Sequence, residues 1–149
     1  MTSFAFLFPG QGSQAVGMLD AWGDHPAVRQ TLAEASEALG SDIGRLVREG
    51  PKDQLDLTTN TQPVMLTAGI ASYRAWMAET GRAPDAVAGH SLGEYSALVA
   101  AGALTLADAL PLVRLRAQAM QAAVPVGVGA MAAILGLDAQ TVRAGCAEA

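Results

Sequence analysis

Short apolar runs alternate with longer stretches of helical spacing along most of the chain. Residues 4–8 and 86–88 are continuous apolar runs, and each ends at a glycine or at Pro-Gly. Apolar runs without polar alternation are typical of strands that are covered on both faces of a parallel sheet. Because helical segments separate the two runs, the pattern predicts an α/β fold.

The segment between the two strands predicts three helices. The first covers 26–39, with Asp24 as its cap, Pro26 at its first position and Gly40 as its stop. Residues 61–80 are apolar nearly all round and predict a long buried helix.

The third predicted helix lies between these two. It begins at Ser41 or Asp42 and closes at Gly50-Pro51. The polar stretch 52–60 that follows is predicted to be a loop.

Two more helices are predicted after the second strand. One covers about 92–101, and Gly102 breaks it. Thr105 and Asp108 have the spacing of a capping box, which opens a helix running to about residue 123. Pro111 lies inside that helix, and a proline there predicts either a kink or a start later than Thr105.

The composition changes at Gly127, so we place a domain boundary there. A glycine-rich entry is followed by an apolar run over 130–137 and by a helix that begins near Asp138. We therefore expect residues 1–126 to belong to one α/β domain. Residues 127–149 would be the first strand and helix of a second, smaller domain.

Composition and charge exclude several classes of protein. The sequence is 51% hydrophobic and 15% charged, with a net charge of −5, which favours a globular domain over a disordered one. It has no run of Lys or Arg, so we expect no nucleic-acid partner. We also expect no metal site.

The compartment predicted from the sequence is the cytoplasm. Cys146 is the single cysteine, so there is no intrachain disulfide framework, and the start of the chain lacks a basic signal region. The most membrane-like stretch, 97–113, is interrupted by Thr105, Asp108 and Pro111, and we expect no membrane-spanning helix.

Candidate chemistry is concentrated in the motif Gly89-x-Ser91-x-Gly93. It follows an apolar run and opens a helical segment, which is the context that a nucleophile elbow requires. The following helix directs free N–H groups towards the position where an oxyanion would form. Ser91 is therefore predicted to be a covalent nucleophile for acyl transfer or acyl hydrolysis.

A serine nucleophile needs a base, and neither histidine of the sequence is a strong candidate. His90 is next to Ser91 in an extended segment, where neighbouring side chains point to opposite faces. His25 precedes the helix-starting Pro26, a position typical of a surface residue near a helix cap. The sequence therefore predicts a nucleophile without an evident base.

Two arginines on the helix after Thr105 could read a substrate carboxylate. Arg114 and Arg116 lie on opposite flanks of its apolar stripe, so periodicity alone does not decide between them. A guanidinium beside a serine nucleophile would grip a carboxylate through two parallel hydrogen bonds.

A second glycine pattern competes with the elbow. Gly10-x-Gly12-x-x-Ala15 follows the first strand and satisfies a loose dinucleotide-binding pattern. Such a site needs a strand that ends in an acidic residue about 20 residues further on. Glu34 and Glu37 have that distance but lie in a segment of helical spacing, so a plain loop is favoured.

Four motifs together resemble a known family. These are Pro-Gly-Gln-Gly-Ser-Gln at 9–14, Thr-Gln-Pro at 61–63, Gly-His-Ser-Leu-Gly-Glu-Tyr-Ser-Ala at 89–97 and Arg-Leu-Arg at 114–116. In this order and spacing, the sequence resembles the malonyl-CoA:acyl carrier protein transacylases of fatty acid synthesis, along its whole length.

The resemblance implies a role for each matching residue. Ser91 would accept malonyl from coenzyme A and pass it to the phosphopantetheine thiol of acyl carrier protein. Gln11 and the backbone N–H of Leu92 match the oxyanion hole. Arg116, rather than Arg114, matches the arginine that pairs with the malonyl carboxylate, and Gln62 matches a glutamine that lines the pocket. Coenzyme A would enter as a thioester substrate, with no permanently bound cofactor.

The resemblance also implies a fold and a missing part. The family has an α/β-hydrolase-like parallel sheet with helices on both faces, and an inserted ferredoxin-like small domain that residues 127–149 would begin. Its catalytic histidine lies beyond that insert, so the sequence is expected to be an N-terminal fragment. A serine esterase or thioesterase of the α/β-hydrolase type, or a non-catalytic fragment, are the alternatives.

Overall fold

The computed structural model describes residues 3–124, 127–128 and 134–148. Helices and strands alternate as the sequence predicts, and most of the structure is helical. The elements in chain order are β1 (Ala5–Phe8), a short 3₁₀ helix (Asp20–Trp22), α1 (Pro26–Leu39), α2 (Ile43–Glu49), α3 (Lys52–Asp56), α4 (Thr58–Thr80), β2 (Ala86–Gly89), α5 (Leu92–Ala100), α6 (Leu106–Ala123) and α7 (Ala139–Glu148).

The two strands pair in parallel, as the sequence predicts. Ala5 is paired with Ala86, and Phe8 with Gly89, so both strands end at the same edge. One expectation is wrong for this chain: the sheet is covered on one face instead of two. Leu7 is 75% exposed, whereas Phe8, the next residue along the strand, is buried. Among the described residues, no other element covers the face of the sheet that carries Leu7.

Aromatic rings fill the space between the covered face of the sheet and α4. The ring of Phe6 lies 5.5 Å from that of Tyr73 and 5.7 Å from that of Trp76, both in edge-to-face geometry. Rings at this spacing attract one another beyond the area that they bury. These contacts fix the direction of β1 relative to α4.

Helix α4 is the centre of the core. It packs against α1, α5 and α6, and its residues from 61 to 68 are all buried. A helix that is buried nearly all round needs apolar residues on every face, which explains why its sequence shows no amphipathic stripe. The core side chains that are fully enclosed include Ile43, Leu55, Leu66, Ile70, Leu92, Leu106 and Leu110.

Helix α1 has the predicted bounds but a different cap. Nδ1 of His25, rather than Asp24, accepts a hydrogen bond from the N–H of Ala27 at 3.2 Å. Because Pro26 takes the first helical position, the cap falls on the residue directly before it. The helix ends at Gly40, which has φ 61° and the left-handed conformation expected of a helix stop.

Helix α1 also argues against the nucleotide-binding alternative. Glu34 and Glu37 both lie within it, so no strand ends in an acidic residue at the distance that such a site needs. Glu34 is instead an ion-pair partner of Arg74 on α4, at 2.6 Å.

The prediction of a loop over 52–60 is wrong. This stretch forms α3 and the first turn of α4, which begins at Thr58 instead of residue 61. Leu55 is fully buried and anchors α3, although its polar neighbours hide the helical pattern. Asp42 caps α2 as predicted, through a hydrogen bond from the N–H of Arg45 at 2.8 Å.

Helix α6 begins where the capping box predicts. Oγ1 of Thr105 accepts a hydrogen bond from the N–H of Asp108 at 3.1 Å, and the two side chains also bond at 2.6 Å. The helix is continuous through Pro111, so the expectation of a later start is wrong. A kink at Pro111 stays a prediction.

The described residues of the C-terminal segment, 134–148, add no buried residue to the core. The strand predicted over 130–137 lies partly outside the described residues, and residues 134–137 form no regular element. Helix α7 has no buried residue. Hydrogen bonds from Thr141 and Gln140 to Asp138, which precedes α7, lower the pKa of that carboxyl.

Across the described residues, every helix is too short or too polar to span a bilayer.

We predict that core leucines of α4 determine stability. Leu66→Ala should lower the free energy of unfolding by about 2–5 kcal/mol, because the fully enclosed side chain leaves a cavity. Leu115→Ala is the matched control: Leu115 is 62% exposed, and the change should stay within about 0.5 kcal/mol. Urea denaturation of both variants measures the difference, and equal effects would contradict this description of the core.

Candidate active site

The tight turn between β2 and α5 contains Ser91. β2 ends at Gly89 and α5 begins at Leu92, so two residues reverse the chain from strand to helix. Ser91 has φ 54° and ψ −110°, and it is the one non-glycine residue with a positive φ among those described. A side chain in this backbone region is strained, and such strain is typical of functional sites. The geometry is that of a nucleophile elbow.

The two glycines of the motif allow α5 to pass close to both strands. A Cβ atom at Gly89 would lie 2.0 Å from the carbonyl carbon of Gly93. A Cβ atom at Gly93 would lie 2.2 Å from the carbonyl oxygen of Phe8, at the end of β1. Real Cβ atoms never approach backbone so closely, so only glycine fits at either position. This crossing brings Ser91 to the edge where both strands end.

Arg116 is the arginine that lies beside Ser91. Its Nη2 donates a hydrogen bond to Oγ of Ser91 at 2.8 Å, and its Nη1 donates to Oε1 of Gln62 at 2.5 Å. The guanidinium carbon also lies 5.9 Å from the ring centre of Tyr95 on α5. Three contacts therefore fix the charged group next to the serine hydroxyl.

Arg114 lies on the other flank of α6 and takes no part in these contacts. Its Nε is buried and has no hydrogen-bond partner among the described residues. The structure thus separates the two arginines that helical periodicity left equivalent.

Gln62 connects Arg116 to the loop after β1. It is fully buried, and its Nε2 lies 3.5 Å from Oε1 of Gln11 and 3.2 Å from Sδ of Met120. A buried amide is costly unless its polar atoms are bonded, and here both ends of the amide have partners. Nε2 of Gln11 in turn donates to Oγ1 of Thr58 at 3.1 Å.

The loop that carries Gln11 is held by α3 as well. Nε2 of Gln14 donates to Oδ1 of Asp56 at 2.9 Å, and the N–H of Gly12 donates to Oε1 of Gln14 at 2.8 Å. Hydrogen bonds from Lys52 and then Gln14 lower the pKa of the Asp56 carboxyl. Thr58 and Asp56 were missed from the sequence because they lie in the stretch assigned to a loop.

Leu92 lies at the start of α5, directly after Ser91. Its side chain is 1% exposed and packs in the core, which holds the first turn of the helix in place. N–H groups in the first turn of a helix have no partner within the helix. The N–H of Gly93 is taken by the carbonyl of His90 at 2.9 Å. The N–H of Leu92 therefore lies at the positive end of α5, next to the serine.

His25 is far from Ser91. It contacts Glu79, near the C-terminal end of α4, at 3.0 Å. Gln62, which contacts Arg116, lies near the N-terminal end of the same helix. Glu79 and Gln62 are 17 positions apart, which corresponds to about 25 Å along the helix.

His90 is close to Ser91 in sequence but is oriented towards the Gly10 loop. Its Nδ1 would lie 3.6 Å from a Cβ atom at Gly10. Among the described residues, neither histidine has a hydrogen bond with Oγ of Ser91. The arrangement therefore combines a nucleophile, a cation and the N–H of Leu92 without a base in contact.

Known proteins are similar to this chain over nearly its whole length. Residues 5–148 match the family described as the acyl transferase domain. The malonyl CoA-acyl carrier protein transacylase of Escherichia coli K12 is 56% identical over 150 residues, which cover 100% of this chain and 48% of that protein. The chain thus spans about half the length of the curated relatives it matches.

Solved structures give the same coverage. The acyl-carrier-protein S-malonyltransferase of Burkholderia pseudomallei 1710b is 71% identical, with a TM-score of 0.89 over 99% of this chain and 48% of that one. The complex of a type II PKS acyl-carrier protein with its malonyl-transacylase is 51% identical, with a TM-score of 0.89 over 99% of this chain and 48% of that one.

We predict that the backbone strain at Ser91 is measurable. Ser91→Gly should raise the free energy of unfolding by about 1 kcal/mol relative to Ser91→Ala, because glycine adopts φ 54° without steric cost. Both variants lack the hydroxyl, so the loss of the Arg116 hydrogen bond cancels between them. Thermal or urea unfolding gives the comparison. A less stable glycine variant would show that the turn is relaxed.

Proposed function

This chain belongs to the acyl transferase domain family, and on that premise we propose that the protein carrying it transfers a malonyl group. The donor is malonyl-CoA, the acceptor is the phosphopantetheine thiol of acyl carrier protein, and the intermediate is an ester on Ser91. Relatives named as malonyl transacylases support this substrate, among them the Escherichia coli K12 protein at 56% identity. We place the reaction in fatty acid biosynthesis.

The hydrogen bond between Arg116 and Ser91 is the observation that carries the proposal. A long neutral acyl chain beside Ser91 would remove water from the guanidinium, which lies 2.8 Å from the nucleophile, without giving that charge a partner. It offers instead two parallel N–H donors to an acyl group that ends in a carboxylate. Malonyl is such a group, with its carboxylate two bonds from the carbonyl that the serine attacks.

The first half-reaction forms the ester. Oγ of Ser91 loses its proton to a base and attacks the thioester carbonyl of malonyl-CoA, so that a C–O bond forms. The oxyanion of the tetrahedral intermediate accepts hydrogen bonds from the N–H of Leu92 and from Gln11. The C–S bond then breaks, and coenzyme A leaves as a thiol after it takes up the proton.

The second half-reaction reverses these roles. The phosphopantetheine thiol of acyl carrier protein gives its proton to the base and attacks the ester carbonyl, so that a C–S bond forms. The bond to Oγ of Ser91 then breaks, and Oγ takes the proton from the base. The same oxyanion donors serve both steps, because both pass through a tetrahedral intermediate of the same shape. The solved complex of a related malonyl-transacylase with its carrier protein supports this acceptor.

We propose that the base lies outside this sequence. His25 contacts Glu79, which lies about 25 Å along α4 from Gln62, and the bonds of Ser91 in the described structure include neither histidine. A serine hydroxyl is a weak nucleophile at neutral pH without a base in contact. The remaining half of the length of the relatives is where that group would be found.

We also propose that β1 and β2 are part of a larger α/β-hydrolase-like sheet with helices on both faces. The open side of the sheet is apolar, with Leu7 75% exposed, as expected of a face that further chain covers. Residues 1–126 would belong to this domain. Residues 127–149 would begin an inserted ferredoxin-like small domain, which the absence of buried residues in α7 supports.

The ester on Ser91 is the first testable prediction of this function. Full-length protein incubated with malonyl-CoA should gain the mass of one malonyl group, located on the peptide that contains Ser91. Ser91→Ala should gain none. Absence of an adduct on the wild-type protein would rule the proposal out. Rapid release of free malonate without preference for a thiol acceptor would identify an esterase.

The role of Arg116 is tested by comparison with its neighbour. Arg116→Ala should lower kcat/KM for malonyl-CoA at least about 30-fold, since removing one member of a charged pair costs about 2 kcal/mol or more. Transfer of an uncharged acetyl group should be retained.

Arg114→Ala is the matched control. It removes the same charge from the same helix but from the flank without contacts to Ser91, and malonyl transfer should be unchanged. An unchanged preference for malonyl over acetyl in Arg116→Ala would refute the assignment of Arg116.

A further inference from the structure

We propose that Thr58 is a positioning residue for Gln11, acting through a hydroxyl that holds the Gln11 side-chain amide beside the site. The proposal rests on the function above, in which Gln11 stabilises the oxyanion. Thr58 is the first residue of α4 and is half-buried, and its Oγ1 accepts a hydrogen bond from Nε2 of Gln11 at 3.1 Å.

The Thr58 hydroxyl differs in its use from those of the neighbouring threonines. Oγ1 of Thr61 donates to the carbonyl oxygens of Leu55 and Leu57, so this hydroxyl connects α4 to α3. Thr59 makes no side-chain hydrogen bond among the described residues. Thr58 alone of the three bonds to the loop after β1.

Gln11 is held from two sides by residues one helical turn apart. Thr58 and Gln62 are separated by four positions on α4 and so share one face of the helix. Oγ1 of Thr58 accepts a hydrogen bond from Nε2 of Gln11, and Nε2 of Gln62 lies 3.5 Å from Oε1 of Gln11. Both polar atoms of the Gln11 side chain thus have a partner on α4, which holds the loop at residue 11 in place.

These contacts make one continuous chain from the helix start to the nucleophile. It runs from Thr58 through Gln11, Gln62 and Arg116 to Ser91, and the last two bonds measure 2.5 and 2.8 Å. Without the Thr58 hydroxyl, the Gln11 side chain loses one of its two hydrogen-bond partners and can rotate. Arg116 keeps its hydrogen bonds to Gln62 and Ser91. Loss of Thr58 should therefore affect the oxyanion more than the binding of malonyl.

The test is steady-state kinetics of the full-length protein. Thr58→Val keeps the shape of the side chain and removes the hydroxyl, and kcat should fall about three- to ten-fold while KM for malonyl-CoA stays unchanged, as expected when one neutral hydrogen bond is lost. Thr58→Ser restores a hydroxyl and should recover most of kcat. Thr59→Val makes the same substitution one residue away and should leave kcat unchanged.

A double substitution shows whether Thr58 acts through Gln11. In a Gln11→Ala background, Thr58→Val should have no further effect on kcat, because the partner of the hydroxyl is already gone. An equal loss of kcat in both backgrounds, or a Thr58→Val variant as active as Thr59→Val, overturns the proposal. Failure of the proposed function itself has a different signature, since unmodified protein would then form no ester on Ser91.

Discussion

The close crossing of α5 over the ends of β1 and β2 is the constraint on which the site depends. The backbone of Gly93 passes so near the carbonyl of Phe8 that no side chain fits between them. This contact places the start of α5, with the N–H of Leu92, at the edge where both parallel strands end. The strained conformation of Ser91 follows from the same crossing, because two residues must turn the chain from strand to helix. Packing of the buried Leu92 side chain then holds the turn in place.

Helix α4 extends this local constraint to the rest of the molecule. Its apolar residues contact α1, α5 and α6, while its first two turns present polar groups to the loop after β1. Gln62 is fully buried, so both ends of its amide must be bonded, and the partners that satisfy it are site residues. The requirement for satisfied buried amides therefore helps to hold Arg116 beside Ser91.

Much of the fold could be predicted from the sequence, because apolar periodicity and glycine stops are local signals. The strands at 5–8 and 86–89, the cap at Thr105 and the start of α2 at Ser41 or Asp42 belong to this group. Segment 52–60 could not, since only Leu55 is buried and its short helix shows no repeat. The open face of β1 was also missed, because an apolar run indicates that both faces are suited to burial but not which are covered within this chain.

The candidate site shows a similar division. The elbow at Ser91 is local and could be recognised from its glycines. The choice between Arg114 and Arg116 needs the rotation of α6 relative to α5, a tertiary quantity that periodicity does not contain. Thr58 and Asp56 act across more than 40 residues of chain, and side-chain bonds of that range leave no local pattern.

The conformation of Ser91 has a consequence for how such sequences diverge. Gly89 and Gly93 are needed for the crossing itself, whatever residue 91 does. A descendant that lost its chemistry would keep both glycines under selection for folding, while position 91 would drift towards glycine, which relieves the strain. Retention of the outer glycines therefore reports the architecture, and retention of a strained serine between them reports continued selection for activity.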